Sequence, residues 1–121
     1  MFSFRRLDVY NESRLFVKIV YEEIKHFPKE ENFALSNQLR RSVVSISSNI
    51  AEGMGRRSKK EQIHFLEIAF GSLMETFCQL EIAKDLGYIT EEKLLDLEVT
   101  AEKISKMLSG LTASIEKSIK P

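Results

Sequence analysis

Cysteine is nearly missing from this chain of 121 residues: Cys78 stands alone, so no intrachain disulfide can form and packing has to hold the fold. Proline occurs only at positions 28 and 121, which leaves long stretches free of the ring clash and lost N–H that break helices. No charge sign is in excess, with 18 Lys and Arg against 18 Asp and Glu. That balance disfavours a wholesale electrostatic grip on nucleic acid or an anionic membrane, and leaves a local one open. No uncharged apolar run is long enough to cross a bilayer, and no apolar segment of signal-peptide type follows Met1 to Arg6. Strand-like alternation, internal repeats and low-complexity tracts are missing as well. The expectation is one cytoplasmic domain over residues 1–121, long enough for a real core without disulfides or metals.

What is present is helical periodicity. Helix 1 is expected from Asp8, as N-cap, to His26, with Val9, Ser13, Phe16, Val20, Ile24 and Phe27 at steps of three and four. Pro28 closes it, and Lys29-Glu30-Glu31 makes a polar connector. Helix 2 begins near Asn32 or Phe33 and is built on Leu35, Leu39, Val43, Ile46 and Ile50. Beside that seam runs a polar one, Gln38, Ser42, Ser45, Asn49, Glu52 and Arg56. Small polar residues there suit a packed, hydrogen-bonded surface, between subunits or along a cavity, better than a solvent face. Gly53 to Gly55 are expected to end the helix in a left-handed cap. Helix 3 opens on a capping box, Ser58 with Glu61, and carries the heptad Ile63, Leu66, Phe70, Leu73, Phe77, Leu80. Its flanking line Gln62, Ala69, Thr76, Ala83 is mostly small, while Ile68, Met74, Cys78 and Ile82 fall on the far side. Those four are either scattered surface apolars or a second interface buried by self-association. Helix 4 starts at Thr90 and follows Leu94, Leu97, Ala101, Ile104, Leu108, Leu111 and Ile115, fading towards Lys120. Four such helices pack most simply as an all-α, antiparallel up-down-up-down four-helix bundle.

Catalytic chemistry finds little support. Two Glu-x-x-His pairs, Glu23 with His26 and Glu61 with His64, have the spacing of a di-iron carboxylate site. In the expected topology they lie near opposite ends of the bundle, and Glu61 is already used in the capping box. The glycines Gly53 and Gly55 are not followed by the Lys-Ser/Thr of a P-loop. Cys78 has no histidine expected nearby and reads as an inert thiol. No enzyme activity, cofactor, metal or small-molecule substrate is expected. The stronger signal is basic: Arg40 and Arg41 on helix 2, then Arg56, Arg57, Lys59 and Lys60 across the hinge. Phosphate could be met by these side chains and by the free amides opening helix 3. No aromatic stands in the hinge to stack a base, so contact there would be backbone-dominated and salt-dependent. A solvated basic turn is the competing reading.

The run Gln38-Leu39-Arg40-Arg41-Ser42, then Ser45-Ile46, Ser48-Asn49-Ile50-Ala51-Glu52-Gly53 and Gly55-Arg56, resembles the signature of the 23S rRNA intervening-sequence protein family. Phe65-Leu66, Ala69, Gly71-Ser72-Leu73 and Glu75 are similar to its second block, and Phe4 to Val9 and Phe27 to Glu31 flank helix 1 in the same manner. The resemblance implies a homo-oligomeric bundle, typically a pentameric ring or barrel. It is shared with the accessory variability determinant of diversity-generating retroelements, a basic pentamer that partners a reverse transcriptase and nucleic acid. It marks Gln38, Ser45, Asn49, Glu52, Gly53, Gly55 and Gly71 as oligomer or structural positions. RNA or a ribonucleoprotein is the implied partner, and a structural adaptor that binds only protein is the alternative.

Overall fold

A computed structural model of the chain describes residues 1–119, and no strand occurs among them. Pro121, and Lys120 where the last helical pattern is expected to fade, lie outside the described residues. Four helices carry the fold: α1 (Asp8–Ile24), α2 (Leu35–Met54), α3 (Lys59–Asp85) and α4 (Glu91–Ile119). Short 3-10 turns at Ser3–Arg6 and Lys29–Glu31 precede α1 and α2.

The helix ends follow local chemistry, with three departures from expectation. Leu7, not Asp8, holds the N-cap position of α1, and its side chain makes no capping hydrogen bond. Asp8 is the first helical residue instead, where its charge still suits the dipole. Helix α2 starts later than its apolar pattern suggests, because the connector coils into a 3-10 turn whose Glu31 carboxylate accepts from the Leu35 amide at 3.3 Å. The glycine after α2 is not left-handed: Gly55 has φ −84°. The left-handed glycine follows α3, where Gly87 has φ 82°. There the Gly87 amide reaches the Lys84 carbonyl at 2.9 Å and the Tyr88 amide reaches Ala83 at 2.8 Å, a Schellman ending. The Ser58 cap stands as expected, its hydroxyl accepting from the Glu61 amide at 3.3 Å, and Thr90 does the same for Lys93 at 3.1 Å.

One apolar core joins all four helices, with Phe16, Val20, Leu39, Val43, Ile46, Ile50, Leu66, Leu73, Leu80 and Ile104 fully buried. The expected α3 heptad is only half right. Leu66, Leu73 and Leu80 are buried, but Phe70 is 39% exposed. Helix α3 is rotated towards its small residues, so Ala69, Thr76 and Ala83 are buried instead. Small side chains let backbones approach closely, and α3 uses them to lie against α2. Cross-helix partners set the directions: Ser42 meets Gln79, Ser45 meets Ser72, and Gly53 meets Phe65, so numbers rise on α2 as they fall on α3. Ser13 pairs with Ser47 at 2.8 Å between α1 and α2. Lys84 meets Glu91 at 2.9 Å, and Lys59 meets Ser118 at 2.7 Å at the other end of the α3–α4 pair. The first turn of the chain, the end of α2, the start of α3 and the end of α4 therefore share one end of the molecule.

At the opposite end, the Tyr88 hydroxyl donates to Glu31 at 2.7 Å, and its ring packs 5.3 Å from that of Phe27. This hydrogen bond, then burial and the carboxylate charges of Glu31 and Glu30, raise the Tyr88 pKa above its ordinary value. A raised folded-state pKa gives stability that is present below about pH 10 and lost as pH climbs through the folded value. Tyr88→Phe is expected to lower the melting temperature at neutral pH and to flatten the loss of stability above about pH 10. An unchanged alkaline limb in thermal melts would contradict this account.

Candidate nucleic-acid interface

The six basic residues picked out by sequence form two separate patches. Arg41 and Arg56 are fifteen positions apart on and just past α2, which at about 1.5 Å per residue separates them by roughly 22 Å. In the first patch, the Arg40 guanidinium reaches the Asn32 side chain at 3.4 Å. Arg40 and Arg41 line an open groove with Tyr21, Asn37, Val44 and Ser48. Arg41 also faces a second groove between α2 and α3, beside Gln38, Ser45 and Glu75.

At the hinge the four cations do different work. Arg56 donates to Glu52 at 2.9 Å, lies 3.8 Å from Glu61 and sits 4.7 Å above the Phe65 ring. The Gln62 amide holds the Arg56 carbonyl at 2.9 Å. Arg56 is thus a structural tie between α2 and α3 more than a free charge. Lys59 is held by the Ser118 hydroxyl on α4. Arg57 and Lys60 are exposed and make no ion pair among the described residues. They are the hinge cations left to meet an anion. Pattern reading could not separate these roles, because Phe65 and Ser118 come to the hinge from distant turns.

The polar seam of α2 packs inside the chain for half its length. The Ser42 hydroxyl bonds the Gln79 side chain at 2.8 Å and accepts from Thr76 at 2.9 Å. Ser45 and Ser72 share a hydrogen bond at 2.9 Å, and Asn49 donates back to the Ser45 carbonyl and hydroxyl at 2.8 and 2.9 Å. Gly53 is buried where α3 crosses, whereas Gln38, Glu52, Gly55 and Gly71 are exposed. Much of the seam is therefore explained by the α2–α3 contact, without a second subunit. On the far side of α3, Ile68, Met74 and Ile82 are exposed as expected, with Cys78 among them, whereas Phe70 lines a groove against Leu108 and Thr112 of α4.

The Glu-x-x-His pairs are dispersed. Glu23 lies 3.8 Å from Lys93, and the His64 ring stands edge-on to Phe65 at 5.8 Å. Among the described residues, no three His, Cys, Asp or Glu side chains converge in a metal-binding group. No helix among them is long and apolar enough to cross a membrane.

Comparison with curated proteins returns no match. Among solved structures, a protein of unknown function from the S23 ribosomal protein family of Bacteroides thetaiotaomicron is similar. It is 28% identical with a TM-score of 0.79, over 86% of this chain and 97% of that one. The family model described as 23S rRNA-intervening sequence protein matches residues 5–110. With signature, helices and match in agreement over most of its length, the chain belongs to the 23S rRNA-intervening sequence protein family.

Proposed function

We propose that this chain is the subunit of a non-enzymatic, cytoplasmic homo-oligomer that associates with RNA or a ribonucleoprotein through the hinge between α2 and α3. In this reading each subunit is an antiparallel up-down-up-down bundle and five of them close into a ring. The observation that carries the RNA contact is the pair Arg57 and Lys60, exposed beside the amides that open α3 and without an acidic partner among the described residues. Helix amides and unpaired cations together suit phosphate oxygens. Self-association is supported by the apolar side of α3, where Ile68, Met74 and Ile82 are each more than a third exposed. That same side supports the alternative, an adaptor whose ring binds protein alone.

The test is a gel shift of structured RNA across a salt series, with sedimentation of the same samples. Arg57→Glu with Lys60→Glu is expected to abolish binding, whereas neutral Gln at both positions lowers the salt slope by about 2 per chain. Sedimentation should stay unchanged, since neither side chain holds the fold. An RNA affinity that ignores both substitutions would remove the hinge reading.

A further inference from the structure

The basic end of the molecule also carries aromatic rings, and they come from the first turn of the chain. Phe2 is 75% exposed, yet its ring is stacked on Phe4 at 5.9 Å with only 13° between their planes. Phe4 in turn meets Tyr10 of α1 edge-on at 4.9 Å, and the Arg14 guanidinium lies 5.7 Å from the Tyr10 ring centre. Arg5 and Arg6, in the last turn of the 3-10 segment Ser3–Arg6, are both exposed. The segment is clamped to α1: the Asn11 side-chain amide donates to the carbonyls of Arg5 at 3.0 Å and Leu7 at 3.1 Å. The array therefore stands preformed, so its ordering is not charged against binding.

We propose that this segment is a single-stranded nucleic-acid site, in which Phe2, backed by Phe4, stacks a base while Arg5, Arg6 and Arg14 meet the phosphates. The inference deepens the RNA reading and rests on it. Every base has a π-face, so stacking on an exposed ring is sequence-tolerant, and interleaved arginines supply charge along the strand. A duplex keeps its base faces stacked internally and offers none to Phe2. Nearby acids weaken the patch little: Glu12 is tied to Lys103 at 3.1 Å, and Asp8 sits at the N-terminal end of α1, where the dipole offsets it. The hinge lies at the same end of the molecule, so a strand stacked on Phe2 can continue towards Arg57 and Lys60. The mechanism divides accordingly: rings hold a base, and the hinge holds backbone.

The experiment uses the full chain and oligouridine of about 10 nucleotides, a length within single-strand site sizes, against an RNA duplex of the same length. Phe2→Ala is expected to weaken single-strand binding about tenfold or more and to leave the salt slope unchanged. Arg5→Gln should lower that slope by about 1, and Phe2→Tyr should bind as the parent does. A 2-aminopurine placed in the oligomer should be quenched by the parent and not by Phe2→Ala. Because Phe2 is exposed, circular dichroism should not change. Equal single-strand affinity for Phe2→Ala and the parent overturns the platform, even if the Arg57 and Lys60 reversals abolish duplex binding and so uphold the hinge. If those reversals change nothing while Phe2→Ala still weakens the single strand, the platform stands and the hinge reading falls. Binding to anionic vesicles that depends on Phe2, with no oligouridine bound, assigns the segment to a lipid surface and overturns the proposal.

Discussion

Gly53→Val is expected to destabilise the fold by on the order of 3 kcal/mol, the upper range for overpacking a tight contact. A Cβ built on Gly53 falls 2.7 Å from the Phe65 Cβ and 3.3 Å from the Gln62 carbonyl oxygen. Neither neighbour is the free end of a flexible chain, so the two helices themselves have to move. Even Gly53→Ala should cost stability, although alanine in place of a helical glycine is ordinarily worth up to about 1 kcal/mol. The contact makes a sharper forecast possible. Because the clash is with Cβ and not with the ring, Phe65→Ala cannot relieve it. Gly53→Ala should therefore lose the same stability in the parent and in the Phe65→Ala background, to within about 0.5 kcal/mol. Urea unfolding of the four variants measures this, and a cost that disappears with the ring would place the conflict elsewhere. At roughly 4 °C per kcal/mol for a domain of this size, the valine variant should melt about 12 °C lower.

Ser42→Ala is expected to cost about 1–3 kcal/mol, far more than a serine on a helix surface. One proton chain satisfies the cluster: Thr76 donates to Ser42 at 2.9 Å, Ser42 donates to Gln79 at 2.8 Å, and Gln79 donates to Glu75 at 3.4 Å. Removing the middle hydroxyl leaves the Gln79 carbonyl oxygen without its donor in a site where Gln79 is only 6% exposed. Thr76 loses less, since the Ser72 carbonyl also lies in reach at 2.7 Å. Changing both ends to apolar residues, Ser42→Ala with Gln79→Leu, should recover part of the loss, because a missing pair is cheaper than an orphaned partner. Equilibrium unfolding with an unchanged m-value reads both. A neutral Ser42→Ala would show that the network adds nothing to the α2–α3 contact.

Both forecasts concern positions that the family signature marks. Gly53 and Ser45 pack within one chain here, so their presence in the signature has a reason in the monomer, before any ring is considered. Gly55 and Gly71 have no such reason: a Cβ at Gly71 would meet nothing within 4 Å, and one at Gly55 would meet only ordinary contacts of its own helix. If assembly selects any of these residues, it is the exposed ones. Gly71 lies on the outer side of α3 among Ile68, Met74 and Cys78, where self-association would bury it.

The helices could be read from residue order because their causes are local. Spacing of apolar residues, the Ser58 and Thr90 caps, Pro28 and the absence of other interior prolines act within a few positions. Family membership was legible for the same reason, since the signature is a contiguous pattern. The rotation of α3 was not. Phe70 and Thr76 both satisfy helical periodicity, and hydrophobicity alone chooses Phe70 for the core. The fold chooses Thr76, because α3 lies against α2 along Ser42 and Ser45, where Thr76 and Ser72 hydrogen-bond across the contact.

The same limit governs the candidate site. Counting cations in the hinge finds the four residues beginning at Arg56, and the charges are real. Which of them remain free depends on Glu52, Phe65 and Ser118, the last 59 positions from Lys59 and brought back by α4. The stacked rings of Phe2 and Phe4 are likewise invisible as a platform until Asn11 fixes the first turn against α1. Residue order thus specified four helices, their boundaries to within a few positions, and the family. Packing settled which face of α3 is inside, where the α2 polar seam finds its partners and which cations are left for a ligand, because each of those depends on side chains that only the folded chain brings within a few ångströms.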